Sequence, residues 1–372
     1  MRRKQWLILI VILILLGTGL AFWFHGRMRY EIVEIPLPVG FENPFSLQLN
    51  DVGTVALIMV NIADKSEHIF YWNRDTGFKD RGNLGIEGTD ISISDMNNAD
   101  QIVGLYRVDE KLTEQAAQLG IKPRRDLKSY FFDPRQGLRD IAATPGRTKP
   151  WAIAINNHGQ VVGVDFDLSN NQTQHWLFLW TLEGGTEDLK TPGFPQDIND
   201  SGHIVGEMFR PYNAFFWSRQ TGQQSMDDPL AGKQVFMKMN NSDQVIGLYG
   251  PDHNQCRPFR WDPRQGFSNL GRQVSDLPGI TDITDNGGYC FTIRRSWELP
   301  WKLGHGQEDF SIVTIPGRFK TNLNRLFNRQ DLNFTAADMN NNGWILGVAR
   351  DAQSNQFERL LLLIPKNYPK AK

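Results

Sequence analysis

The chain has 372 residues with 40 basic against 41 acidic side chains, and it carries 34 Gly, 11 Trp and 23 Phe but only two Cys. Balanced charge excludes a nucleic-acid binder by bulk charge and a disordered acidic chain, and two cysteines exclude a disulfide framework. The Gly- and aromatic-rich mixture suits many short strands joined by tight turns.

Residues 6–24 form one uncharged apolar run, preceded by Arg2, Arg3 and Lys4. A helix of that length rises about 28 Å, close to the hydrocarbon thickness of a bilayer. Trp23 sits where an interfacial aromatic belt would sit. The segment reads as an uncleaved signal-anchor behind a cytoplasmic tail of residues 1–5, with the bulk of the chain exported. The alternative is a cleaved signal peptide, with Gly19-Leu20-Ala21 as a weak small-x-small site and a secreted product. Residues 30–372 hold 35 basic against 41 acidic groups, a mildly acidic ectodomain with no second apolar run of spanning length.

Beyond residue 30 one motif recurs. Asn156-Asn157-His158-Gly159-Gln160-Val161-Val162-Gly163 has counterparts beginning at Asn50, Asn97, Asn199, Asn240, Thr284 and Asn340. Intervals of 47, 59, 43, 41, 44 and 56 residues fall in the range of propeller blades with insertions. The second position is always Asp or Asn and the fourth always Gly or Asp, which is the chemistry of a turn with a left-handed residue. Five copies place Gly seven positions after the first: Gly104, Gly163, Gly206, Gly247 and Gly347. A Gly fixed in a strand points to a bulge or to close contact with a neighbouring sheet. A second, aromatic hairpin follows most copies, as in Phe70-Tyr71-Trp72, Leu177-Phe178-Leu179-Trp180, Phe215-Phe216-Trp217 and Phe259-Arg260-Trp261. Two hairpins per repeat make four strands, the propeller blade.

The last repeat has strands near 336–340, 344–349 and 359–364 and then runs out. Tyr30–Pro36 echoes Phe310–Pro316, which the repeat pattern places as the fourth strand of the sixth repeat. The N-terminal strand is therefore expected to complete the seventh blade, leaving no open sheet edge. The sixth repeat, with Thr284 for Asn and Phe291 for Gly, is degenerate. The expectation is all-β: a single seven-bladed β-propeller over residues 30–372 behind one transmembrane helix.

These motifs resemble the HAF repeat family, whose repeats read roughly His-Ala-Phe-x-Trp followed by Asn-Asn-x-Gly-x-Val-x-Gly. His68-Ile69-Phe70-Tyr71-Trp72 and Asn213-Ala214-Phe215-Phe216-Trp217 are close matches, as is Asn156–Gly163. The resemblance implies an exported repeat protein of poorly defined activity and offers no catalytic residues to carry over.

Asp95, Asp197, Asp282 and Asp338 stand two residues before the motif, where other copies have Gln48, Ala154 and Lys238. On innermost strands near a channel, four carboxylates could bind a cation such as Ca²⁺. Equally, each could bond backbone of its own or the adjacent blade. Asp165–Asn170 has alternating oxygen side chains but lacks the Gly and distal Glu of a calcium loop.

Two insertions, 107–127 and 317–333, interrupt the repeats; Val108–Leu119 has a helical apolar pattern with Gly120 as C-cap. Arg107, Lys122, Arg124, Arg125, Arg318, Lys320, Arg325 and Arg329 would form a basic rim on one face, a candidate surface for an anionic glycan, lipid headgroup or protein. The rival reading is solvated decoration.

The seven histidines are dispersed without metal or base–nucleophile spacing; His68 and His175, at a repeat position, read as packing residues. Cys256 and Cys290 could pair across neighbouring blades in an oxidising compartment. No phosphate-binding loop, nucleophile elbow or dinucleotide fingerprint is present. The sequence thus favours a membrane-anchored binding module with no nucleic-acid partner. The alternative is a propeller enzyme, a metal-dependent hydrolase or lyase with its site at the channel mouth.

Overall fold

The computed structural model describes residues 29–366 and 368, apart from 110–124, 168–173, 209–212, 227–233, 251–254, 271–273, 276–278, 299–304, 315–319 and 328–331. Seven antiparallel sheets follow one another in chain order, and each is the meander of four strands that the doubled hairpins require. The innermost strands are Phe45–Leu49, Thr89–Met96, Thr148–Ile155, Phe194–Ile198, Gln234–Met239, Gly279–Ile283 and Leu332–Met339, heading blades 1 to 7. Blade 5 carries an additional two-residue strand, Val274–Ser275, on its third strand.

Each sheet stands on edge and buries both faces against its neighbours, so the core is a circle of inter-blade clusters. Blades 3 and 4 meet through Ala154, Leu177, Leu179, Ile198, Phe215 and Trp217, and blades 7 and 1 through Leu346, Leu360, Leu362, Val55, Leu57 and Trp72.

Blade 7 closes the ring between the chain ends. Tyr30–Ile35 pairs antiparallel with Phe357–Pro365, in register from Tyr30↔Pro365 to Ile35↔Leu360. It supplies the fourth strand, as expected, and the sixth repeat is a full blade. The echo of Tyr30–Pro36 misled in one respect. Phe310–Thr314 belongs to the third strand of blade 6, because Tyr289–Glu298 and His305–Thr314 form a ten-residue hairpin that pairs them directly. The fourth strand is Thr321–Asn322, followed by a 3-10 turn at Leu323–Leu326. Of segment 317–333, Thr321–Asn322 thus belong to blade 6, while Leu332 and Asn333 already open the innermost strand of blade 7.

The strand glycines of blades 2, 3, 4 and 7 face bulges of the innermost strand, as one of the two expected reasons had it, but they make no close contact with a neighbouring sheet. Close contact comes from within the same blade. A Cβ on Gly163 would stand 2.3 Å from the Phe178 ring and 2.4 Å from the Trp151 carbonyl, and Gly206, Gly247 and Gly347 are pressed in the same way by Phe215, Phe259 and Phe334. The innermost strand bulges opposite, between Ala152 and Ala154 or Ala336 and Asp338.

The expected helix 108–119 lies outside the described residues, apart from Val108 and Asp109, which end the strand Ile102–Asp109. Among the described residues no helix is long and apolar enough to cross a membrane; the apolar run 6–24 is not among them.

Candidate functional site

The motif turns all lie on one face of the disc, where the innermost strand turns into the second. The fourth residue is left-handed in every copy, from φ 60° at Asp100 to φ 82° at Gly53. That is why only Gly and Asp stand there. The first Asn closes its own turn through Oδ1, as Asn156 does on the backbone N–H groups of His158 and Gln160.

Its amide then ties one blade to the next. Nδ2 of Asn50, Asn97, Asn156, Asn199, Asn240 and Asn340 donates to the backbone carbonyl of the equivalent residue one blade on, at 2.8–3.2 Å. The seventh copy has Thr284, which lacks an amide donor. There Tyr368 enters from the chain end, its hydroxyl 2.9 Å from Thr284 Oγ1 and 3.2 Å from Asn286 Oδ1.

A second circle is complete. The Oδ1 of Asn98, Asn157, Asp200, Asn241, Asp285, Asn341 and Asp51 each accepts the backbone N–H of the equivalent residue in the preceding blade, at 2.7–2.9 Å. Only an Asx side chain offers that oxygen at that reach, which explains why the second motif position is always Asp or Asn.

One layer deeper stand the four aspartates. Each accepts the N–H of its own next residue, and three also accept the corresponding N–H of the following blade. Asp95 holds Met96 and Ile155, both at 2.8 Å. Asp197 holds Ile198 at 2.9 Å and Met239 at 2.8 Å. Asp338 holds Met339 at 2.8 Å and Leu49 at 2.6 Å. The blades served in this way are those with Ala154, Lys238 and Gln48 in place of Asp. Asp282 differs. It holds Ile283 at 2.7 Å, but the N–H it would bridge to, on Met339, is already taken by Asp338.

The channel between the Asn turns and this layer is a polar cavity of about 140 Å³ lined by the four aspartates, Lys238 and the motif residues. It is smaller than the 300–1,000 Å³ typical of small-molecule sites. Asp95, Asp282 and Asp338 keep a partial view of it while Asp197 is buried. Enclosure by protein pushes the carboxyl groups up, Asp95 to about 6 and Asp338 to about 7, with Asp282 well above the usual range. The Lys238 ammonium opposes this in all four and is itself held charged, by Asp197 first. Among the described residues no group of three or more His, Cys, Asp or Glu is placed to hold a metal ion.

The opposite face carries a feature not anticipated from the sequence. Phe45, Ser92, Trp151, Phe194, Phe236, Gly279 and Thr335 hold equivalent positions on the seven innermost strands, each paired with the residue that follows the strand-Gly position. Four of the seven are aromatic. Trp151, Phe45 and Phe236 are 36%, 37% and 39% exposed. Trp151 meets Phe194 edge-on at 5.6 Å, and His175 links Phe194 to Phe166. The bulges shift the spacing from blade to blade, so a fixed-offset scan does not align these residues.

Of the basic rim, Arg107, Lys320 and Arg325 are described and exposed, with Arg107 3.6 Å from Asp90. They belong to blades 2 and 6, which are not neighbours. Lys122, Arg124, Arg318 and Arg329 lie outside the described residues, and Arg125 is described only as a strand residue. Asp165, first of the alternating oxygen side chains that fall short of a calcium loop, is fully buried. It accepts from Thr144 and pairs with Arg147 at 3.2 Å, while Arg147 also grips Asp188 and covers the Trp176 ring. Residues 168–170 of that segment are outside the described set.

Cys256 and Cys290 are not paired. Cys256 faces blade 6 from blade 5 and Cys290 faces blade 7 from blade 6, so a whole sheet separates them. Burial pushes the Cys290 thiol up to about 12. His68 packs edge-on against Phe41. It also bonds Ser66 at 3.0 Å and Asp80 at 2.9 Å, a Ser–His–Asp chain on the surface of blade 1. The Ser66 hydroxyl is shared with Asp64 at 2.6 Å, where it closes a local turn and is not poised as a nucleophile.

No protein-family profile matches the chain, and no curated protein matches it in sequence. Solved structures do. Virginiamycin B lyase from Staphylococcus aureus is similar at 10% identity and TM-score 0.50, over 91% of this chain and 99% of that one. The acylaminoacyl peptidase of Pyrococcus horikoshii is similar at 9% identity and TM-score 0.54, over 86% of this chain and 50% of its own. Prolyl endopeptidases match at 9% identity and TM-score 0.53, again over half of their length. At such identity the likeness establishes the β-propeller and nothing about chemistry.

Proposed function

We propose that this protein is a membrane-anchored, exported propeller that works as a binding module, with its ligand received on the face opposite the Asn turns. The apolar run 6–24 and the basic residues before it support the anchor, and the resemblance to HAF repeats supports export. The carrying observation is the set of partly exposed aromatic residues, Phe45, Trp151, Phe194 and Phe236, at one level around that mouth. Exposed aromatics with Arg107 beyond them suit an interface centre with a charged edge, whereas Lys320, next to Thr321 in its pairing with Val313, stands toward the Asn-turn face. An enzyme with its site in the channel has less support. Three of the four channel carboxylates have both oxygens committed to backbone N–H groups.

The full chain is tested against heparin, as a polyanionic glycan, and against a neutral β-glucan. Replacing Trp151 and Phe236 by Ala is expected to weaken whichever binds by at least about tenfold. Variant and parent binding alike would remove that face from the reading.

A further inference from the structure

We infer that the face bearing the Asn turns is a docking surface for an anionic lipid bilayer, so that the channel cavity opens toward the membrane and the aromatic face points away. The inference rests on the anchor reading above and adds an orientation that the anchor alone does not give.

Strand direction supplies the first argument. In blade 7 the innermost strand ends at Asn340 on the Asn-turn face, so the second strand leaves that face and the third, Phe357–Pro365, returns to it. Tyr30 pairs with Pro365, and the Lys366 N–H donates to the Arg29 carbonyl at 2.8 Å. The ectodomain therefore begins at the Asn-turn edge of blade 7 and is bonded there. Only residues 25–29 separate the apolar run from Tyr30. Five extended residues reach about 17 Å. The nine-residue third strand alone spans about 29 Å from one face to the other. The linker cannot bring the aromatic face to the bilayer.

Charge supplies the second argument. The turns between third and fourth strands also lie on the Asn-turn face, at larger radius. Four of them present an exposed arginine: Arg74, Arg135, Arg219 and Arg264. In two the preceding Asp turns inward, with Asp133 accepting from the N–H groups of Arg135 and Gln136, and Asp262 from those of Arg264 and Gln265. The arginine is left facing out. In blade 7, where this turn is replaced by the two chain ends, exposed Arg29 and Lys366 take the same place. Arg74 and Arg219 are partly neutralised by Glu31 and Glu187, at 2.5 and 2.8 Å. Asp51, Asp200 and Asp285 lie near the axis with their oxygens accepting N–H groups, while exposed Asp75 and Glu183 stand in the outer turns of blades 1 and 3. A rim in which exposed basic residues outnumber acidic ones, interrupted at blade 3 by Glu183, suits anionic headgroups. The outer edge of blade 7 carries Glu31 and Glu34 and does not suit them, which disfavours a propeller lying on its side.

The test uses the full chain in vesicles of phosphatidylcholine with phosphatidylglycerol, carrying nitroxide-labelled lipid. A fluorophore is attached at Ser242→Cys, exposed in the blade 5 Asn turn, or at Ile62→Cys, exposed on the opposite face; the native cysteines are buried. Quenching is expected to be several-fold stronger at position 242. It should decline when phosphatidylglycerol is omitted, and again in Arg135→Ala/Arg264→Ala, where each arginine is worth about fivefold in partition. Equal quenching, or stronger quenching at 62, would overturn the orientation. Quenching at 242 that ignores both lipid charge and the arginine pair would overturn the docking surface. Release of the protein by alkaline carbonate would instead sink the anchor reading, and is scored separately.

Discussion

The hydroxyl of Tyr368 lies 2.9 Å from Thr284 Oγ1, at the single place where the circle of Asn amides is interrupted. Thr284 cannot donate to the next blade as an Asn would, and the C-terminal tyrosine fills the space over Gly288 and Gly343 while satisfying Thr284 and Asn286. Tyr368→Phe keeps the ring and loses both bonds. We expect a loss of about 1 kcal/mol, seen as a fall of about 1–3 °C in the thermal midpoint. Tyr368→Ala should cost clearly more. If Tyr368→Ala melts with the parent, the tail does not contribute to closure.

Asp197 and Asp282 occupy equivalent positions with unequal duties. Asp197→Ala leaves the buried N–H groups of Ile198 and Met239 without their carboxylate partner, at about 1–3 kcal/mol each. Asp282→Ala frees only Ile283 and also relieves carboxylate repulsion with Asp338 and Asp197. Denaturant unfolding should show Asp282→Ala costing less than half as much. Equal losses would refute the bridging account.

The channel gives a stability–pH slope of defined sign. Asp95 and Asp338 have folded-state values raised to about 6 and about 7 from 3.8. The folded state therefore binds protons that the unfolded chain does not hold between about pH 4 and 7. From these groups, stability is greater at pH 5 than at pH 8 and is lost as the pH rises through their folded values. Lys238 eases the repulsion, so Lys238→Met should steepen the slope, with most of its loss at pH 8 and much of it recovered at pH 5.5. Thermal midpoints across pH check this; a variant with the parent's slope would contradict it.

Gly163→Ala places a methyl group 2.3 Å from the Phe178 ring and 2.4 Å from a backbone carbonyl. Neither can retreat, since Phe178 is fully buried, and overpacking of this kind costs about 1–3 kcal/mol or more. Gly185→Ala has open space but a left-handed φ of 66° and should cost less, through backbone strain alone. Comparing the two unfolding midpoints separates steric from conformational reasons for strand and turn glycines.

The sequence was legible where chemistry repeats. Seven Asn/Asp turns and their spacing announce seven blades, and Tyr30–Pro36 marks the closing strand, because a turn or an edge strand is specified by a few local residues. The misassignment of Phe310–Pro316 came from the same local logic: apolar alternation identifies a strand but not its place in a sheet, which pairing with Tyr289–Glu298 decided. Lys238 looked like a mere exception to the Asp pattern until four carboxylates surrounded it. Arg74, Arg135, Arg219 and Arg264, in turns of four different blades, are brought to one face only by the fold.

By itself the sequence determined the all-β repeat architecture, the blade number and the apolar run before it, since each is carried by neighbouring residues and their period. Tertiary structure alone decided which blade each aspartate serves, why Asp282 is surplus, why Cys256 and Cys290 stay apart, and that aromatics on four blades share one mouth while arginines on four blades share the other face. Those relations join residues dozens to hundreds of positions apart, and bulges change their offsets from blade to blade. Only the closure of the ring brings them to one level around one axis.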